Sequence, residues 1–182
     1  MKLSSRYQYN VLCEDAQTRS FVLAFLNEQG IGFRKIHVNM SPAGKICGSE
    51  YVRQQYPTEA KLLSSKNFLR LVLIVVADAD MMSVDDRVRF VESKVEDLKF
   101  DHTKECIIIW IPKRQIENWI HFFNDGELDE NRDYQHSGKP DSCKEEARKM
   151  SDYLSDIVKY DVILPSLEFA KKEYERVCLL QM

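Results

Sequence analysis

Leu71-Val72-Leu73-Ile74-Val75-Val76-Ala77-Asp78-Ala79-Asp80 decides the fold class: seven apolar residues in a row, then two acids separated by one alanine. An apolar run of that length bounded by turn-forming residues predicts a strand covered on both faces, as in parallel sheets. Working outward, Tyr7 to Cys13 predicts a first strand closed by Glu14 and Asp15, and residues 33–38 predict a second. The buried strand itself is expected over 67–77, and Cys106-Ile107-Ile108-Ile109-Trp110-Ile111 predicts a further one over 105–111. Helical spacing of apolar residues falls between these runs, over 17–29, 84–98 and, after Pro112 as a first-turn residue, 112–123. Residues 50–64 read as weakly helical with a break near Pro57, and helices over 142–158 and 166–180 follow a polar loop at 125–140. Alternation of strand and helix gives an α/β fold with a mostly parallel four-stranded sheet flanked by helices. Residues 1–124 form its core, and residues 125–182 add a loop and helices that pack on the core within one domain.

The chain has 182 residues, 44% hydrophobic and 30% charged, with a net charge of −3. That length buries a core without covalent staples. Five widely spaced cysteines with no C-x-x-C pair predict reduced thiols in a cytoplasmic protein and exclude a zinc ribbon. The N-terminus lacks the apolar stretch of a signal peptide, and the longest apolar run is too short to span a bilayer, so no membrane partner is expected. Charge is unevenly spread. Residues 34–70 carry seven basic side chains against two acids, whereas residues 125–133 carry five acids against one arginine. Such polarity can attract a phosphate backbone to one side of an acidic protein. Two solvated faces would have the same composition.

In an open parallel sheet, ligands bind beyond the carboxyl ends of the strands. Glu14, Asp78 and Asp80 stand at two of those ends, and Glu117 follows the last strand at a helix start. Carboxylates gathered at one place repel each other and suit a hard divalent cation, Mg²⁺ or Mn²⁺. Each acid also has a plain structural reading as a helix cap, a turn residue or a first-turn acid favoured by the helix dipole. Asp15 reads as an N-cap or a further ligand, and Asp85 and Asp86 as the opening of the next helix. Lys113 and Arg114 precede Glu117 and can face a phosphate. Lys45, between Gly44 and Gly48, and Arg53 are the basic candidates within the positive stretch. No histidine has catalytic spacing, and the absence of a glycine-rich phosphate cradle excludes a P-loop ATPase.

These elements together resemble the Toprim domain, the metal-binding module of topoisomerases, primases and OLD-type nucleases. Its pattern is a glutamate ending strand one and Asp-x-Asp after strand three, matched by Glu14 and by Asp78 with Asp80. The segment from Pro112 through Ile116-Glu117-Asn118-Trp119 is similar to the Pro-x-x-x-Ile-Glu-x-Trp stretch of small stand-alone prokaryotic members. The tail Leu164-Pro165-Ser166-Leu167-Glu168, with Ala170, Glu173 and Arg176, is similar as well. Asp15 stands where the family has a glycine. The resemblance implies Mg²⁺- or Mn²⁺-dependent hydrolysis of phosphodiester bonds in DNA or RNA, DNA being favoured, and is compatible with an ATPase partner in anti-phage defence. It gives Glu14, Asp78, Asp80 and Glu117 as metal ligands, Lys113 as the countercharge in the transition state, and Lys45, Arg53 and Arg114 as nucleic-acid contacts. Three alternatives stay open: a non-catalytic interaction subunit, a receiver domain phosphorylated at Asp78, and a transferase binding a nucleotide through Asp-x-Asp.

Overall fold

The six residues Leu71–Val76 are all buried and form the strand on which the sheet is built. In the computed structural model, which describes residues 1–44, 46–65, 70–95, 100–126, 128–134, 143–162 and 164–182, four strands lie parallel. They are β1 (Gln8–Cys13), β2 (Ile36–Met40), β3 (Leu71–Val76) and β4 (Ile107–Trp110), in the order β2-β1-β3-β4. The register sets Val11 between Val38 and Ile74, and Ile74 beside Ile108. Because side chains alternate across a pleated strand, the sheet has two buried faces. Val11, Cys13, Ile74, Val76, Ile108 and Trp110 pack with helices α1 (Ala16–Glu28), α4 (Ile116–Asp125), α5 (Lys144–Leu154) and α6 (Pro165–Leu180). Leu12, Leu73, Val75, Ile107 and Ile109 pack with α2 (Gly48–Ser65) and α3 (Val84–Glu92).

Connectivity follows from these faces. Chain leaves β1 through α1 to reach β2, then crosses the other face through α2 to reach β3, and moves outward through α3 to β4. Strand order therefore reverses between β1 and β3, and the loops that follow those two strands part to opposite faces. The parting leaves a crevice at their carboxyl ends.

Several expectations are corrected. Proline 57 does not break α2, which runs unbroken from Gly48 to Ser65. Burial of Val52, Tyr56, Ala60 and Leu63 on one face offsets the roughly 3 kcal/mol that an interior proline costs. Pro112 does not start α4. Its carbonyl accepts from Ala79 N at 2.9 Å and that of Arg114 from Asp80 N at 3.1 Å, so this segment continues alongside β3. The helix begins at Ile116, after Arg114 turns with φ 62°. Strand β2 starts later than expected, since Phe33–Lys35 form a 3₁₀ turn. Helix α3 is shorter than the expected 84–98, ending at Glu92, although Val95 stays buried on the same face. Helix α5 stops at Leu154, and Asp156 then takes φ 58°. Residues 67–69, 96–98, 127, 135–140 and 142 of the expected elements lie outside the described residues.

Helices α5 and α6 contribute to the core through Ala147, Met150, Leu154, Leu167, Tyr174 and Val177. Trp110 packs edge-on to Phe25 at 5.0 Å and to Trp119 at 6.1 Å, while Phe25 also meets Tyr174 of α6. Helix α6 further closes the open edge of β4, which would otherwise present unpaired backbone groups. Glu173 accepts from Ile109 N at 3.1 Å. Arg176 donates to the carbonyls of His102, Thr103 and Glu105 at 3.2, 3.1 and 2.9 Å, and to that of Ile107. The two side chains bridge each other at 2.9 Å. Arg176→Ala is expected to lower the unfolding free energy by about 2–4 kcal/mol in urea titration. A loss below about 0.5 kcal/mol, the scale of an ordinary surface change, would show that the edge needs no such cap.

Candidate metal centre at the carboxyl end of the sheet

Glu14 is the first residue beyond β1, and Asp78 lies two residues beyond β3, so the β1–β3 pairing brings them to the same end of the crevice. Glu14 Oε1 accepts the backbone N–H of Asp78 at 2.9 Å. On the other side the first residue of α2 presses on Glu14. A Cβ at Gly48 would come within 2.7 Å of Glu14 Oε2 and 2.8 Å of its Cβ. Glycine there admits the close approach, since any side chain would displace the glutamate or the helix. A cleft of about 320 Å³ opens beside Glu14, lined by Met40, Ser41, Pro42, Gly44, Ile46 and Gly48 among others.

Asp78 is the most constrained of the acids. It is only 9% exposed, and its Oδ1 is buried with no hydrogen-bond partner among the described residues. Native structures rarely leave such an atom unpaired. Desolvation is the main reason its carboxyl is held well above the usual range, followed by repulsion from Glu14, Asp15, Glu117 and Asp80. Glu14 is raised from 4.5 to about 7, again mainly by desolvation; the Asp78 amide and Arg87 oppose the rise, and Asp80 and Asp15 reinforce it.

The other candidates are held elsewhere. Asp80 takes φ 51° and turns its carboxylate to Arg87, with Oδ2 at 2.5 Å from Nη2. Glu117 lies in the first turn of α4, as expected, and acts on Asp78 through its charge. Asp15 is the N-cap of α1, accepting from Thr18 N at 2.8 Å, and Asp85 and Asp86 open α3. Lys113 Nζ donates to the carbonyl of Met82 at 2.6 Å, in the turn that follows Asp80. Arg114 pairs with Asp133 at 2.6 Å and also contacts the sulfur of Met81. Arg53 forms a fork with Glu50, both bonds 2.7 Å, and lies 4.9 Å over the Phe90 ring. Lys45 lies outside the described residues, although Gly44 and Ile46 on either side line the cleft.

Of the four expected ligands, then, Glu14 bonds the backbone amide of Asp78, Asp80 is turned to an arginine, and Glu117 acts on Asp78 through its charge. Among the described residues, no three histidine, cysteine, aspartate or glutamate side chains already share a metal-ligating position. Arg87 escaped the sequence reading, and Gly48, expected in the loop beside Lys45, instead opens α2 against Glu14. The signal for Arg87 was its place on α3, three after Val84 and four before Val91, where a buried side chain is due. All five cysteines are free thiols, and no helix among the described residues is long and apolar enough to cross a membrane. Comparison with family models, curated proteins and solved structures gave no match.

The raised Glu14 carboxyl has a consequence for stability. A carboxyl protonated more readily in the fold than in the unfolded chain stabilises fully below about pH 4.5, and that contribution is lost as pH rises through about 7. In EDTA, unfolding free energy is expected to fall between pH 5 and pH 8 by on the order of 3 kcal/mol from this group, and Asp78 adds in the same direction. Glu14→Gln should flatten its share of the slope in denaturant titrations. An unchanged slope would mean that Glu14 is solvated.

Proposed function

We propose that this chain is a Mg²⁺-dependent phosphodiester hydrolase of nucleic acid, of the Toprim type. One observation carries the reading: a buried Asp78 carboxylate with an unpartnered oxygen beside a desolvated Glu14, at the switch point of a parallel sheet. The residues fit a hard cation. Both donors are carboxylate oxygens, both are pushed toward protonation without one, and a divalent ion would reverse that push. Glu14 and Asp78 would hold it, with Asp80 and Glu117 the next carboxylates available. When bound, such an ion lowers the pKa of a water and neutralises charge on the scissile phosphate. Lys113, tied to the turn after Asp80, is the cation in this proposal that meets charge developing on the phosphate. Lys45, Arg53 and Arg114 are the proposed contacts to the strand, DNA rather than RNA.

A second reading has its own observation. Asp80 is bonded to Arg87 rather than turned to Glu14 and Asp78, which fits a degenerate site in an interaction subunit working beside an ATPase. Cleavage of supercoiled DNA, linear DNA and RNA with Mg²⁺, Mn²⁺ or EDTA separates the two. The hydrolase cleaves only with metal, and Asp78→Ala lowers the rate by at least about a hundredfold. It also gains about 2.7 kcal/mol of stability when free Mg²⁺ reaches a hundred times its dissociation constant, a gain absent in Asp78→Ala. Wild-type protein that is folded, inactive and unaffected by metal favours the interaction subunit.

A further inference from the structure

Arg87, on α3, is 3% exposed, and a buried guanidinium without counter-charge is costly. Its partners are few. Nη2 donates to Asp80 Oδ2 at 2.5 Å and to the Ala79 carbonyl at 3.2 Å, while Nε is buried with no partner among the described residues. The guanidinium lies 5.2 Å over the Phe90 ring, which also receives Arg53. The carboxylate it holds is 64% exposed at the side chain and sits on a backbone in the left-handed region, φ 51°. A non-glycine residue there is strained by roughly 1 kcal/mol or more, and the Asp80 N–H bond to the Arg114 carbonyl at 3.1 Å keeps it in place. Arg87 is also close enough to Glu14 to oppose the rise of its carboxyl, yet it bonds to Asp80.

The geometry points to Arg87 as a positioning residue that withholds Asp80 from the cation in the resting protein. The inference rests on the metal centre proposed above. Two carboxylates, Glu14 and Asp78, face the ion; the third of the set is held by an arginine one helix away. Affinity of an oxygen site rises with the number of charged ligands. Arg87 therefore sets the ion's affinity by keeping that number at two. Asp80 is exposed enough to rotate, so its release raises the number to three without a change in the strands.

Binding of Mn²⁺ to the full chain, followed by the paramagnetic resonance of the free ion, tests this without relying on turnover. Wild type is expected to bind and Asp78→Ala to lose binding. Arg87→Gln should tighten Mn²⁺ binding by about tenfold. In the Asp80→Asn background the same substitution should tighten it by less than about threefold, the residue of charge acting through solvent. Arg87→Lys should return affinity toward wild type. Weaker binding in Arg87→Gln, or equal tightening in both backgrounds, overturns the role given to Arg87 while Asp78→Ala still reports an intact metal centre. Absence of Mn²⁺ binding in wild type removes the metal centre itself and this inference with it. Should Arg87→Gln not fold, Asp80→Asn alone decides: the withheld carboxylate predicts less than about a threefold change in Mn²⁺ affinity. A loss of about tenfold or more marks Asp80 as a resident ligand and overturns it.

Discussion

Two carboxylates, those of Glu14 and Asp78, leave water beyond the ends of β1 and β3, and the rest of the structure has to sustain that. Desolvation of an ionised carboxylate costs several kcal/mol unless charge or hydrogen bonds answer it. The Asp78 amide answers part of the Glu14 charge, and among the described residues nothing answers Asp78 Oδ1. The sheet bears the remainder. β3 is buried along its whole length, and its two faces carry separate apolar clusters, so the strand cannot shift to relieve the acids at its end. Register is fixed because a one-residue slip would exchange the faces.

The same rigidity positions the neighbours of the seam. α2 reaches Glu14 through Gly48 because its own apolar face, from Val52 to Leu63, is docked on the sheet. α6 locks the far edge through Glu173 and Arg176. An ordinary hydrophobic core and one capped edge thus supply the stability that an unpaired buried acid draws on, a distribution often found around functional sites.

Most of the framework was legible in the sequence because it rests on periodicity. The continuous run at Leu71–Val76, the amphipathic α1 and the first-turn acid Glu117 all follow from spacing and burial. What escaped was tertiary. Pro57 sits inside a helix because packing outweighs local preference, and Pro112 lies in a strand extension held by the backbone of Ala79 and Asp80, far from it in sequence. The acids were legible as a group at one end of the sheet. Which of them would find a cation was not, since Arg87 meets Asp80 only once α3 has docked.

That division among the acids is itself informative. Asp80, Asp86, Glu50 and Asp133 each hold an arginine, and each is substantially exposed or lies on a helix surface. Glu14 and Asp78 are the desolvated ones, and the Glu14 carboxylate bonds the Asp78 amide. A chain selected only for stability would place its arginines the other way round, because a countercharge is worth most where water is excluded. Asp80 and Arg114 even accept left-handed backbones, joined by one hydrogen bond, that send their side chains to Arg87 and Asp133. The arrangement keeps protein cations bonded elsewhere while leaving strong oxygen donors beside the crevice. In the proposed function a divalent ion would supply the charge that the fold leaves out.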